Sequence, residues 1–177
     1  MENIILRSVE DIINNHVKLI HIAIRQRAKF EGWLKFELAK QLEEFGVSEL
    51  SVEYTYNTGK SADISFLHNN QRYFLELKTS NTNWRLAGVE SKTRPITKNI
   101  GSIINDGFKL RECSGVGILV FILFPIPTGD KRWNQYLERI SNLLEISFEE
   151  VYNFKIIDFE YNNIKCQLLA SAIRTNL

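Results

Sequence analysis

Hydrophobic and polar positions follow two periods along this chain, and the change between them marks its first boundary. Over residues 9–45, Ile20, Ile24, Arg27, Leu34, Leu38, Leu42 and Phe45 recur at steps of three, four or seven, the stripe of an amphipathic helix. One or two helices fill this stretch, and Gly46 ends it as a C-cap. The period then becomes two: Val52, Tyr54 and Tyr56 alternate with Ser51, Glu53 and Thr55, as in a half-buried strand. Asn57-Thr58-Gly59 reads as a turn, and residues 62–67 and 72–78 as two further strands. Between those strands lies Asn69-Asn70, and Asn tolerates the left-handed backbone that a tight hairpin requires.

Residues 79–95 are polar and read as a loop, and residues 97–111 as a helix with Ile100, Ile103, Ile104, Phe108 and Leu110 partly on one face. Residues 116–124 are an unbroken apolar run, the pattern of a strand buried on both faces, which Pro125 and Pro127 should stop. Residues 131–144 form an amphipathic helix, and 151–160 with 164–172 a closing hairpin around Asn162-Asn163. The order is helix, three strands, helix, strand, then helix and two strands, which predicts an α/β fold around one sheet.

Composition changes this picture little. A chain of 177 residues, 44% of them hydrophobic, suits a single domain spanning 1–177 and excludes disorder. Cys113 and Cys166 are far apart and form no CxxC, the usage of a cytoplasmic chain with buried thiols. Glu2 and Asp11 lie in mixed sequence unlike a signal peptide. The longest apolar run, 115–124, falls well short of the ~20 residues of a membrane-spanning helix. A cytoplasmic protein without membrane association is expected.

The candidate chemistry lies on the hairpin. A two-residue loop at Asn69-Asn70 pairs His68 with Gln71, and counting outward sets Asp63 opposite Glu76. Glu76 and Lys78, two residues apart on one strand, share that face, whereas Leu75 and Leu77 point into the core. Opposed carboxylates repel at the ~5 Å of a cross-strand pair, so cations must offset them. Lys78 supplies one positive charge, and a hard divalent cation would supply two more.

The run Ser61-Ala62-Asp63-Ile64, followed by Leu75-Glu76-Leu77-Lys78, resembles the PD-(D/E)XK nuclease superfamily, with Ala62 in place of the family's Pro. The resemblance covers about half of the chain, residues 31–124. It implies a restriction-endonuclease-like core of helix, three strands, helix and strand, with a central mixed sheet flanked by helices. It also implies a metal-dependent endodeoxyribonuclease that hydrolyses phosphodiester bonds, in the manner of restriction or defence enzymes. Asp63 and Glu76 would hold Mg²⁺, or Mn²⁺ in its place, with the Leu77 carbonyl as a further ligand. Lys78 would orient water or stabilise the transition state. The family often adds a helix Glu. Glu31 is the first candidate because it lies on the apolar stripe, and Glu37, roughly 90° off it, the second.

A net charge of +1 is uninformative, but its distribution is uneven. Residues 85–111 carry six bases against Glu90 and Asp106, and residues 18–29 carry four bases and no acid. These segments flank the proposed site, as phosphate binding requires. Thr79, Ser80, Asn81, Asn83, Trp84, Arg85, Lys92, Arg94 and Lys98 are therefore the expected contacts to nucleic acid, DNA rather than RNA, with Trp84 stacking on a base. Cutting both strands would favour a homodimer. Thr58-Gly59-Lys60-Ser61 is no P-loop, because Tyr54 stands where the motif needs Gly, and His16, His21 and His68 have no metal-ligand spacing. The alternatives are a non-catalytic nucleic-acid-binding module on the same fold and an unrelated α/β domain that binds a small molecule.

Overall fold

The computed structural model describes residues 1–57, 59–86, 89, 95–149 and 153–176. Three helices precede the first strand: α1 (Glu2–Asn15), α2 (Val17–Gln26) and α3 (Glu31–Phe45). The periodicity predicts one or two, beginning at residue 9. Ile5, Leu6, Val9, Ile12 and Ile13 form the buried face of α1, a helical spacing that extends the pattern to the start of the chain. His16 interrupts the first helix pair at φ −127°, and Arg27 ends α2 in the left-handed region at φ 48°. The chain then turns at Phe30 into α3, which Gly46 closes at φ 94°, as expected of a C-cap glycine.

Strands β1 (Ser48–Asn57), β2 (Lys60–His68) and β3 (Gln71–Asn81) follow as an antiparallel meander. Helix α4 (Ile96–Leu110) carries the chain to β4 (Val116–Pro127), which pairs parallel to β3. Helix α5 (Trp133–Leu144) leads to β5 (Phe154–Tyr161) and β6 (Ile164–Arg174), and the sheet order is β1-β2-β3-β4-β6-β5. The fold is α/β, with a mixed, open six-stranded sheet.

Both hairpins close as the asparagines foretell. Asn69 and Asn70 have φ 48° and 59°, and Asn162 and Asn163 have φ 49° and 62°, the paired left-handed backbones of a two-residue loop. His68 accordingly pairs with Gln71 and Tyr161 with Ile164.

The sheet divides two cores. Ile64, Phe66, Leu75, Leu77, Val120 and Ile122 face α1–α3, and Phe74, Leu119, Phe121 and Leu123 face α4 and α5. β4 is buried along nearly its whole length, the both-faces burial its unbroken apolar run predicts. Its prolines do not stop it. Pairing with β6 shifts register between Leu123 and Ile126, so Pro125, which has no N–H to give, occupies an irregularity where none is needed. β3 likewise runs three residues past Lys78 into what reads as loop. Cys113 and Cys166 are buried free thiols. Among the described residues, no helix is long and apolar enough to cross a membrane.

Candidate active site

The ladder between β2 and β3 is regular from His68↔Gln71 to Ile64↔Leu75. The ladder ends there, short of the expected Asp63–Glu76 pair, and the two acids take partners on different helices, Lys35 of α3 and Lys109 of α4. Here the side chain replaces the backbone pairing: Asp63 Oδ2 accepts the Leu77 N–H at 2.8 Å. On the other side of β2, Val52↔Ile64 and Tyr54↔Ala62 set Glu53 beside Asp63. Three carboxylates, Glu53, Asp63 and Glu76, thus gather on three neighbouring strands, Glu53 and Asp63 sharing Lys35 and Asp63 near enough to Glu76 to act on its charge. Glu53 holds its place with φ 54°, a conformation disfavoured for a non-glycine residue.

Helix α3 closes this group from one side. Glu31, in its first turn, accepts the Thr79 N–H at 2.9 Å, and the Thr79 hydroxyl accepts the Phe30 N–H at 3.0 Å. It is therefore Glu31, rather than Glu37, that ties the helix to β3. One turn later on the same face, Lys35 bonds Glu53 and lies 3.3 Å from Asp63 Oδ1. Only 9% of Lys35 is exposed. Burial lowers its pKa, but Glu53 and Asp63 outweigh that and leave it raised, so it is a fixed cation.

Helix α4 closes the other side. Lys109 Nζ donates to Glu76 Oε2 at 2.7 Å, and Lys78 Nζ lies 3.0 Å from Asp106 Oδ2. Burial pushes the Glu76 carboxyl up to about 7 despite Lys109, and Asp63 and Asp106 add to the effect. For Lys78, burial works against the charge, yet Asp106, Glu31 and Glu76 together raise its pKa, so it stays protonated at neutral pH.

Sequence reasoning brought together Asp63, Glu76, Lys78 and Glu31, and the fold gathers all four around one segment of β3. It missed Lys35, Glu53, Asp106 and Lys109. Lys35 was detectable, four residues from Glu31 and hence on the same helix face. The α4 pair was not, because only tertiary packing aims that helix at β3.

The expected nucleic-acid contacts divide differently. Thr79 and Ser80, at 0% and 2% exposure, are interior residues of β3, which corrects their reading as phosphate contacts: the strand continues where a loop was expected. Asn81 turns inward as a brace, its Oδ1 accepting the Asn83 N–H at 2.8 Å and its carbonyl the Asn99 amide at 3.3 Å. Asn83, Trp84 and Arg85 do border an open cleft beyond the end of β3. Lys98 is exposed on α4, and Lys92 and Arg94 lie outside the described residues. Arg111, counted among the bases, is instead bound to the Thr175 and Leu144 carbonyls.

The donor set of Asp63, Glu76 and the Leu77 carbonyl is all hard oxygen and suits Mg²⁺ or Mn²⁺. Each acid is, however, turned toward a lysine, and among the described residues no three His, Cys, Asp or Glu side chains converge as a metal-holding group. No family model matches the chain, and no curated protein and no solved structure matches it either.

Proposed function

We propose that this chain is a metal-dependent nuclease of the PD-(D/E)XK type that hydrolyses phosphodiester bonds in DNA. The observation that carries this reading is the Asp63 carboxylate seated where the β2–β3 ladder ends, bonded to the Leu77 N–H between Glu76 and Lys78. Glu31 and a protonated Lys78 belong to the same cluster. The run from α3 through three antiparallel strands and α4 to a parallel β4 is the order such a core requires.

Asp63 and Glu76, with the Leu77 carbonyl, would hold the Mg²⁺. A hard dication there supplies Lewis acidity, which makes water nucleophilic near neutral pH and offsets phosphate charge. Lys78 donates to the attacking water or to a phosphoryl oxygen, where its fixed charge counts most. Glu31, through Thr79, fixes the strand that carries Lys78. Lys35 and Lys109 neutralise the two acids at rest and become available to substrate phosphates on release.

One observation favours the second reading, a nucleic-acid-binding module without catalysis: the acids are already matched by Lys35 and Lys109. Cleavage of plasmid, linear duplex, single-stranded DNA and RNA, in Mg²⁺ and in EDTA, separates the two. The nuclease reading expects metal-dependent cutting of DNA that Asp63→Ala and Lys78→Ala each reduce by at least ~100-fold, the scale of one essential electrostatic group. Nucleic-acid binding without cutting, equal in both variants, would leave the module.

A further inference from the structure

Beyond the carboxylates, a cleft of about 350 Å³ opens past the carboxyl ends of the parallel pair β3 and β4. That size falls within the ~300–1,000 Å³ of small-ligand sites, and crevices at strand carboxyl ends are where open α/β sheets commonly bind ligands. Its walls are Trp84, Trp133 and Tyr136, with Arg85, Arg132 and Asp130 around them. We propose that this cleft receives an unstacked nucleobase of the nucleic acid bound at the Asp63–Glu76 site. The substrate's identity rests on the nuclease reading; the base-binding chemistry rests on the cleft.

Four observations support this. First, the aromatic walls are fixed before any ligand arrives. Trp133 packs edge-on against Phe154 with ring centroids 5.6 Å apart, and Trp84 packs on the core under α1–α3. Pre-set aromatic faces are what base stacking uses, because every base has a π-face.

Second, the rim is tied down. The Thr82 N–H donates to the Phe124 carbonyl at 2.9 Å, the Thr82 hydroxyl donates to the Pro125 carbonyl, and the Trp84 N–H reaches the Thr82 hydroxyl at 3.4 Å. Third, the charge suits a nucleotide. Asp130 grips Arg132 through both carboxylate oxygens and fixes the direction of its guanidinium, whose side chain is still 71% exposed. Arg85 is exposed beside it, so the cleft offers cations for flanking phosphates next to its aromatic walls.

Fourth, the distance is right. Thr82 follows Lys78 by four residues along an extended chain, so the cleft begins roughly 13 Å from the catalytic lysine at the ~3.3 Å rise of a strand. That is about four base steps at ~3.4 Å each. A base extruded near the scissile phosphate would reach it, as in enzymes that read a flipped nucleotide.

The test is binding without cleavage. In EDTA, the whole chain is titrated with an oligothymidylate of about twelve nucleotides and with the same oligomer bearing one abasic site, following tryptophan fluorescence and the anisotropy of a terminal label. Wild type should show quenched emission, Trp133→Ala should weaken binding roughly 10- to 100-fold, and Trp133→Phe should restore most of it. The abasic site should weaken wild type and not Trp133→Ala. Arg132→Ala, an exposed change that leaves the fold intact, should weaken binding several-fold.

Equal affinity in wild type, Trp133→Ala and Arg132→Ala, with Mg²⁺-dependent cutting retained, would overturn the cleft and spare the nuclease reading. Quenching that follows this pattern in a chain that never cuts would do the reverse. Absence of quenching by the oligomer, even where a peptide or another aromatic compound binds, would likewise overturn the base site.

Discussion

Lys35 shows how an arrangement of acids that should repel is held together. It is nearly buried and stands between Glu53 and Asp63, so removing it exposes the carboxylates to each other. Because Glu53 is largely exposed, the expected cost of Lys35→Ala is modest, about 1–2 kcal/mol. Thermal melts should show the variant several degrees below wild type in EDTA, and Mg²⁺ should raise its Tm by more than it raises that of wild type. An unchanged Tm would mean the lysine neutralises nothing. Glu76 gives a pH signature. Its carboxyl titrates near 7 in the fold, above its ordinary 4.5, so the native state holds the proton more tightly than the unfolded chain. Its contribution to stability is therefore fully present below about 4.5, falls between 4.5 and 7, and is absent above. Urea unfolding at pH 5 and pH 8 should show this loss, at most about 3 kcal/mol from this group. Glu76→Gln should narrow the gap, and an equal gap in both proteins would count against a buried, proton-retaining Glu76.

At the scale of elements, the hairpin that carries the site was legible because its information is local. Asn69 and Asn70 supply two left-handed residues in succession, and that turn fixes which residue faces which along β2 and β3. Asn70→Ala should cost about 1–2 kcal/mol by forcing a Cβ-bearing residue without a compensating amide into φ 59°, whereas Asn70→Gly should not. Equal denaturation midpoints for both would show that the turn does not set the register. The both-faces burial of β4 was legible for a similar reason, since an unbroken apolar run has few other uses. What stayed hidden depends on packing. Where α4 lies across the sheet decides that Lys109 reaches Glu76 and Asp106 reaches Lys78, and no spacing within that helix encodes it. The length of β3 was also hidden, because Thr79 and Ser80 are small and polar yet buried, Thr79 by bonding Phe30 and Glu31 of the neighbouring helix segment.

In the whole molecule, two cores pack on opposite faces of one sheet, and the polar cluster sits between α3 on one face and α4 on the other. That position explains the balance of charge: acids from the strands are answered by lysines from both helices, with Lys78 held by Asp106. The proposed function requires that balance to be reversible. A crystal soaked in Mn²⁺ tests this most directly through the metal's anomalous scattering. The account expects a peak within coordination distance of both Asp63 and Glu76 and near the Leu77 carbonyl, with Lys35 and Lys109 drawn back, and no peak in Asp63→Asn. A site that stays bare at saturating Mn²⁺, with both lysines still paired to their acids, would contradict it.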